Sequence, residues 1–407
     1  MNSNNLRSSI RFEISGVTIP GQVYENYTKT WEAVAKDLRN DEDFGGQISN
    51  SSIVKEATEQ AIAGKTSIQE KADAILKYIQ TNITWNQYYS KYTDKGVKNC
   101  LKEKTGNAGD INLLAVSMLK LAGIEAYPVV FSTLENGIIN YSFPSSSKLN
   151  FVIASFIGED KKTYLMDATS KISGINQLPK RCLNDRGIMI KDTGFAEIPL
   201  LNTVPSRILT TLNVSYENES FTGKYINQKT NYFSLEASEK YDSDKSEYEK
   251  EIKNEYSMEL KDLTFKQENG NFKTEFNFNF NKDIETVGDK IIFNPLLFLN
   301  TEKQPFNAET RKYNIEFGTP ITQINKVTIT IPDTYILETP LKSKKVVLPD
   351  NLGNYSFNFS QNDNKISVTS TLMLNYAMYP ADYYYMLKEL WKNIIETESQ
   401  LISLKKK

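Results

Sequence analysis

Apolar spacing divides the chain into a helical stretch, a short run of strands and a long β-rich part. Residues 9–17 (SIRFEISGV) have strand-like composition and are followed by Pro20 and Gly21. This strand stands ahead of a helical region, so its sheet partners are distant or missing. Trp31, Val34, Ala35 and Leu38 then share one face at helical spacing, and Ile53, Ala57, Ala61 and Ile62 make a weaker second helix. Ile68, Ala72, Ile75, Leu76, Ile79 and Ile83 give a clear amphipathic helix, with Thr66 or Ser67 as its cap. A polar, lysine-rich segment over 86–105 separates it from the next. There Ile111, Leu113, Leu114, Val116, Met118, Leu119 and Leu121 cover most of the circumference of a helix over 108–121. A helix apolar nearly all round belongs inside a domain, and Gly123 supplies its stop.

Strand patterns follow over 127–133, 150–157 and 163–167, with Asn136-Gly137 and the polar 158–162 segment as turns. A central helix followed by an antiparallel sheet predicts an α+β core. From about residue 198 short aromatic and β-branched runs recur at 209–216, 231–238, 272–280, 326–331, 355–359 and 365–374. One helical pattern, 246–256, interrupts them. These runs predict one or two antiparallel β domains. Tyr383, Leu387, Leu390, Trp391 and Ile394 then form the stripe of a closing helix over 381–397.

Composition removes whole classes of chemistry. The 407 residues contain no histidine, the usual general base of thiol and serine hydrolases and the commonest transition-metal ligand. The two cysteines, Cys100 and Cys182, are too few for a zinc site or a disulfide framework and read as unpaired structural residues. No metal or cofactor is expected. Lys+Arg 48 against Asp+Glu 50 gives a net charge of -2, with no basic footprint for nucleic acid. No run approaches the ~18 apolar residues of a transmembrane segment, and the polar opening MNSNNLRSS lacks the apolar stretch of a signal peptide.

The segment 105–133, TGNAGDINLLAVSMLKLAGIEAYPVVFST, resembles the core of the transglutaminase-like (papain-like) superfamily. There a Gly-x-Cys-x-Asp turn opens a buried helix that ends in Gly-Ile-x-Ala and a strand. Gly106, Asp110, Gly123, Ile124 and Ala126 match that frame. Its physics is plain: a thiol in the first turn of a helix meets the positive end of the macrodipole, which favours the thiolate. A histidine acts as base and an aspartate orients it. The resemblance places Ala108 at the nucleophile position. KLNFVIAS (148–155) resembles the family's Asn-His-Val strand, with Phe151 where histidine would stand, and YLMDATS supplies Asp167, the one triad member kept. A methyl group cannot attack, and a phenyl ring cannot carry a proton.

Further matches run along most of the chain, among them Thr30-Trp31-Glu32, Ile83-Thr84-Trp85, Asp167-Ala168-Thr169, Cys182-Leu183-Asn184 and Asn294-Pro295. They resemble a bacterial cell-envelope subfamily that carries this core between β-rich domains of unknown function. The resemblance implies a residual strand of an N-terminal β domain over 1–28, the core over 29–197, a β-rich domain over 198–320, and a C-terminal β domain ending in a helix over 321–407. It also implies a periplasmic or envelope pseudoenzyme that binds or scaffolds a protein or peptide, because the superfamily cleft accepts an extended chain. Trp85, Tyr88, Tyr89, Asn107, Asp110 and Asn150 are the candidate cleft-lining residues, against ordinary burial of the aromatic rings and a structural role for Asp110 in the first turn of the helix. Two alternatives stand beside this: a hydrolase using groups outside the triad, and a structural subunit of an envelope assembly.

Overall fold

The helix that is apolar on every side is the axis around which the first half of the chain packs. In the computed structural model, which describes residues 16–18, 20, 25, 26, 30–49, 51–256, 258–268 and 270–407, it runs Ala108–Leu121, and every residue from Ala108 to Leu119 is buried. Its start is encoded locally. The Asn107 side chain accepts from the Asp110 N–H at 2.7 Å, and Asp110 accepts from the Asn107 N–H at 2.9 Å, a reciprocal capping box. The other Asp110 oxygen accepts from the backbone N–H groups of Asp94, Lys95 and Gly96, so one carboxylate also fixes the turn into the helix Gly96–Glu103.

The chain divides into two units, residues up to 202 and residues from 203 onward. In the first, the helices Trp31–Asn40, Lys55–Ile62, Ile68–Asn82 and Gly96–Glu103 accompany the central one. Ser67 caps Ile68–Asn82 in a second capping box with Glu70. Among the described residues, five antiparallel strands form a sheet in the order Thr163–Met166, Phe151–Ile157, Ala126–Phe131, Arg186–Ile190, Phe195–Pro199. Val130, Val152 and Ala154 from that sheet join Ile111, Leu114 and Met118 of the helix in one core. This is the α+β arrangement expected for a transglutaminase-like core.

The second unit departs from expectation in three places. Residues 231–238 form part of a helix, Asn231–Ser243: Tyr232, Leu235 and Ser238 repeat at three-residue spacing and are buried, a period that the Tyr-Phe pair hides. Residues 198–320 and 321–407 do not make separate domains. Strand Ser206–Glu217 pairs in parallel with Ile321–Thr330 over ten residues, from Ser206↔Ile321 to Ser215↔Thr330, which joins the two stretches in a sheet of eight strands among the described residues. That pair is also the exception to an otherwise antiparallel sheet. The closing helix runs Tyr384–Glu398. Of the strand expected over 9–17, only Gly16–Val17 is described, paired antiparallel with Glu25–Asn26; its first seven residues lie outside the described ones. No helix among the described residues is long and apolar enough to cross a membrane.

Gly109, in the first turn of the central helix, shows how closely the preceding segment approaches. A Cβ at this position would sit 2.1 Å from the Tyr92 carbonyl oxygen and 2.4 Å from its carbon. Backbone cannot give way as a flexible side chain can. Gly109→Ala is therefore expected to lower stability by roughly 1–3 kcal/mol, as overpacking does, read from the urea midpoint by tryptophan fluorescence. A midpoint equal to wild type would contradict this packing.

Candidate functional site

Three separate local signals bring the triad-matched positions together. Ala108 is the first residue of the central helix because Asn107 caps it. Phe151 opens the strand Phe151–Ile157 and stands opposite Phe131 in the antiparallel register. Asp167 follows directly on the strand Thr163–Met166. Ala108 and Phe151, both with no exposed surface, share one buried cluster with Phe131, Leu178 and Cys182. The helix, strand and strand order thus delivers the expected juxtaposition.

Aromatic rings fill the space around Phe151. Its centroid lies 5.3 Å from Tyr89, 5.6 Å from Phe131 and 6.3 Å from Trp85, the last edge-on. Trp85 and Tyr89 are themselves 5.6 Å apart, edge to face. Such offset and edge contacts are the favourable ones for aromatic quadrupoles. Tyr88 is 72% exposed and Tyr89 46%, so this cluster reaches the surface. The segment carrying them crosses the helix N-terminus: the Ala108 N–H donates to the Tyr88 carbonyl at 3.1 Å, and the Asn86 N–H to that of Gly106. The Ala108 N–H would be a natural donor to a developing oxyanion; here a carbonyl of the chain takes it.

Asp167 is fully buried and heavily partnered. Arg181 Nη2 donates to its Oδ2 at 2.7 Å, the Thr169 hydroxyl to Oδ1 at 2.6 Å, and Asn112 Nδ2 to Oδ1 at 3.1 Å. Burial by itself would raise this carboxyl; the Arg181 guanidinium, helped by Thr169 and Asn112, overrides it and holds the group below the ordinary carboxylate value. The guanidinium lies 4.8 Å from the Trp85 ring centroid and 5.9 Å from that of Phe151, a cation–π placement. The Cys182 thiol stands 3.7 Å from Asp167 Oδ2.

Of the nine positions singled out in the sequence, Trp85, Tyr88, Tyr89, Ala108, Phe151 and Asp167 converge here. The polar groups of the other three are engaged in structure. Asn107 and Asp110 form the helix cap, and Asn107 Nδ2 also donates to the Tyr92 carbonyl. Asn150 exchanges hydrogen bonds with Thr133, accepting from its N–H at 2.8 Å and donating to its hydroxyl at 3.0 Å. Arg181 and Cys182 are what the sequence reading missed as members of this site. The available signal was indirect: a carboxylate kept without its imidazole needs another partner, and Arg181 lies in the next loop. Neither cysteine is in a disulfide, and both are buried. Burial, with the Asp110 carboxylate nearby, pushes the Cys100 thiol up to about 12, which leaves it a neutral structural residue. Among the described residues no three His, Cys, Asp or Glu side chains gather to hold a metal.

Truncating Arg181 leaves a buried charge uncompensated. Arg181→Met is expected to cost on the order of 3–5 kcal/mol at neutral pH, and the double variant Arg181→Met/Asp167→Asn to recover part of it. Because the fold lowers the Asp167 value, the pair's contribution is present above the unfolded carboxylate value of ~3.9 and fades as pH falls through the lower folded one. Urea unfolding at pH 7 and near pH 3 checks both. Equal stability of single and double variants at pH 7 would contradict the pairing.

Comparisons with known proteins agree with this fold. Residues 55–148 match the family model of the transglutaminase-like superfamily, and residues 289–404 match that of a domain of unknown function with a solved structure, DUF3858. Among solved structures the chain is similar to a candidate protease from Parabacteroides distasonis, at 14% identity and a TM-score of 0.54 over 94% of this chain. The match spans 60% of that protein, and at such identity the likeness is one of fold. No curated protein matches the chain. The chain carries a core of the transglutaminase-like superfamily followed by a β-rich domain.

Proposed function

We propose that the protein is a catalytically inactive transglutaminase-like protein whose core acts as a binding or scaffolding module for a protein or peptide. The observation that carries this reading is the sealed site: a methyl group at the nucleophile position packs with a phenyl ring at the base position, and the remaining carboxylate is tied to Arg181. Attack needs a thiol or hydroxyl and a base within hydrogen-bond reach. Neither stands at the two positions matched to nucleophile and base. The exposed Tyr88 and Tyr89 rings beside Trp85 offer an extended peptide flat, amphipathic surface of the kind enriched at interfaces. A periplasmic or cell-envelope location rests on the sequence resemblance to the bacterial envelope subfamily.

A second reading, a hydrolase using groups outside the triad, has Cys182 in its favour, since that thiol shares the site with Asp167. Its burial shields it from a substrate, so the inactive reading is preferred.

The unmodified protein is expected to show no amidase, protease or transamidase turnover on peptide substrates. With Cys100 and Cys182 replaced by serine, Ala108→Cys is expected to label slowly with iodoacetamide, and adding Phe151→His to accelerate labelling. Equal rates would mean that the two positions do not face each other. Turnover by the native protein that disappears in Cys182→Ser would establish the second reading with that thiol as nucleophile, and turnover that survives it would overturn the inactive reading in favour of other groups.

A further inference from the structure

The sheet of the second unit has a polar row where its packing calls for apolar side chains. Strand Ser206–Glu217 turns Thr210, Leu212, Val214 and Tyr216 to its buried face. At the level of Leu212 the cross-strand partners are Tyr225, Phe276 and Val327, and all four side chains belong to one apolar core. Two residues earlier the chemistry changes. Across four adjacent strands the rung reads Asn325, Thr210, Asn227, Thr274, each between 4% and 7% exposed. The next rung places Lys229 and Gln323 on either side of Ile208.

Four buried amide and hydroxyl side chains in one rung are costly unless they are satisfied. Thr210 shares a hydrogen bond with the Tyr225 hydroxyl. Asn227 Nδ2 donates to the Thr210 hydroxyl at 2.9 Å, and Asn325 Nδ2 to the Leu299 carbonyl at 3.2 Å. A carbonyl partner fixes which end of the Asn325 amide is the donor and turns its oxygen the other way. These side chains, with Lys229 and Gln323, line a cavity of about 310 Å³, at the small end of the ~300–1,000 Å³ of ligand sites. Tyr256 and Phe298, ring centroids 5.6 Å apart, supply an apolar wall.

We infer that this cavity binds a single neutral sugar ring. Amide oxygens and the Glu255 carboxylate at the lining call for a ligand rich in hydroxyl donors, while the aromatic wall suits the C–H face of a pyranose. An anion would find Lys229 but would also face those acceptors, which disfavours it.

Saturation-transfer NMR on the full chain tests the inference, with glucose, galactose, mannose and N-acetylglucosamine offered separately, and acetate as the anionic probe. At least one sugar is expected to bind saturably. Asn325→Leu is expected to weaken it by about tenfold, the worth of one well-made hydrogen bond. Gln323→Ala, at a half-buried position that leaves the core intact, is expected to weaken it as well. The inference is overturned if none of the sugars binds, if binding is unchanged in both variants, or if acetate alone binds and is lost in Lys229→Met.

Discussion

A carboxylate with no exposed surface must find positive charge and donors, and the first unit is organised around how Asp167 does so. Asn112, in the middle of the central helix, donates to Asp167 and accepts from the Ala168 N–H at 2.8 Å. One side chain therefore ties the helix to the end of a strand. Thr169 and Arg181 complete the shell from the following loop. Helix, sheet and loop meet at one charge, and each holds its position partly because the others satisfy it. A knot of this kind is costly when half made and rigid when complete.

The same knot explains the surrounding apolar substitutions. In a working site of this geometry an imidazole would stand between thiol and carboxylate, carrying the proton and partnering the aspartate. With a phenyl ring at Phe151 the aspartate needs a cation from elsewhere. Arg181 supplies it, its guanidinium laid on the Trp85 ring, a planar, weakly hydrated cation suited to such burial. Trp85, Tyr89 and Phe131 then close around Phe151 by ring contacts, and Ala108 fills the space where a nucleophile would project. The scaffold brings the three positions together, and on the proposed inactive reading the groups it brings have different uses.

Features written in local sequence were legible. The all-apolar helix beginning near Ala108 follows from periodicity, and its convergence with Phe151 and Asp167 was legible only through the resemblance to the transglutaminase-like core. Features set by distant parts were not. The helix Gly96–Glu103 buries only Val97 and Cys100, too little apolar surface to stand out in a lysine-rich segment. The parallel pairing of 206–217 with 321–330 joins strands more than a hundred residues apart, which no local pattern announces, so one domain was read as two. Asn107, Asp110 and Asn150 looked like cleft residues because short polar side chains serve caps and turns as readily as clefts. Arg181 escaped notice because a charge partner is chosen by tertiary proximity.

The direct test of this account is the titration of Asp167 itself, followed by carbon NMR of its side-chain carboxyl and assigned by difference against Asp167→Asn. The account predicts that the carboxyl stays ionised to a pH below the ordinary carboxylate range, because Arg181, Thr169 and Asn112 stabilise its charge. A carboxyl that titrates at or above the ordinary value of ~3.9 would mean that Arg181 does not stand in for an imidazole as its partner, and the proposed inactive reading would lose its foundation.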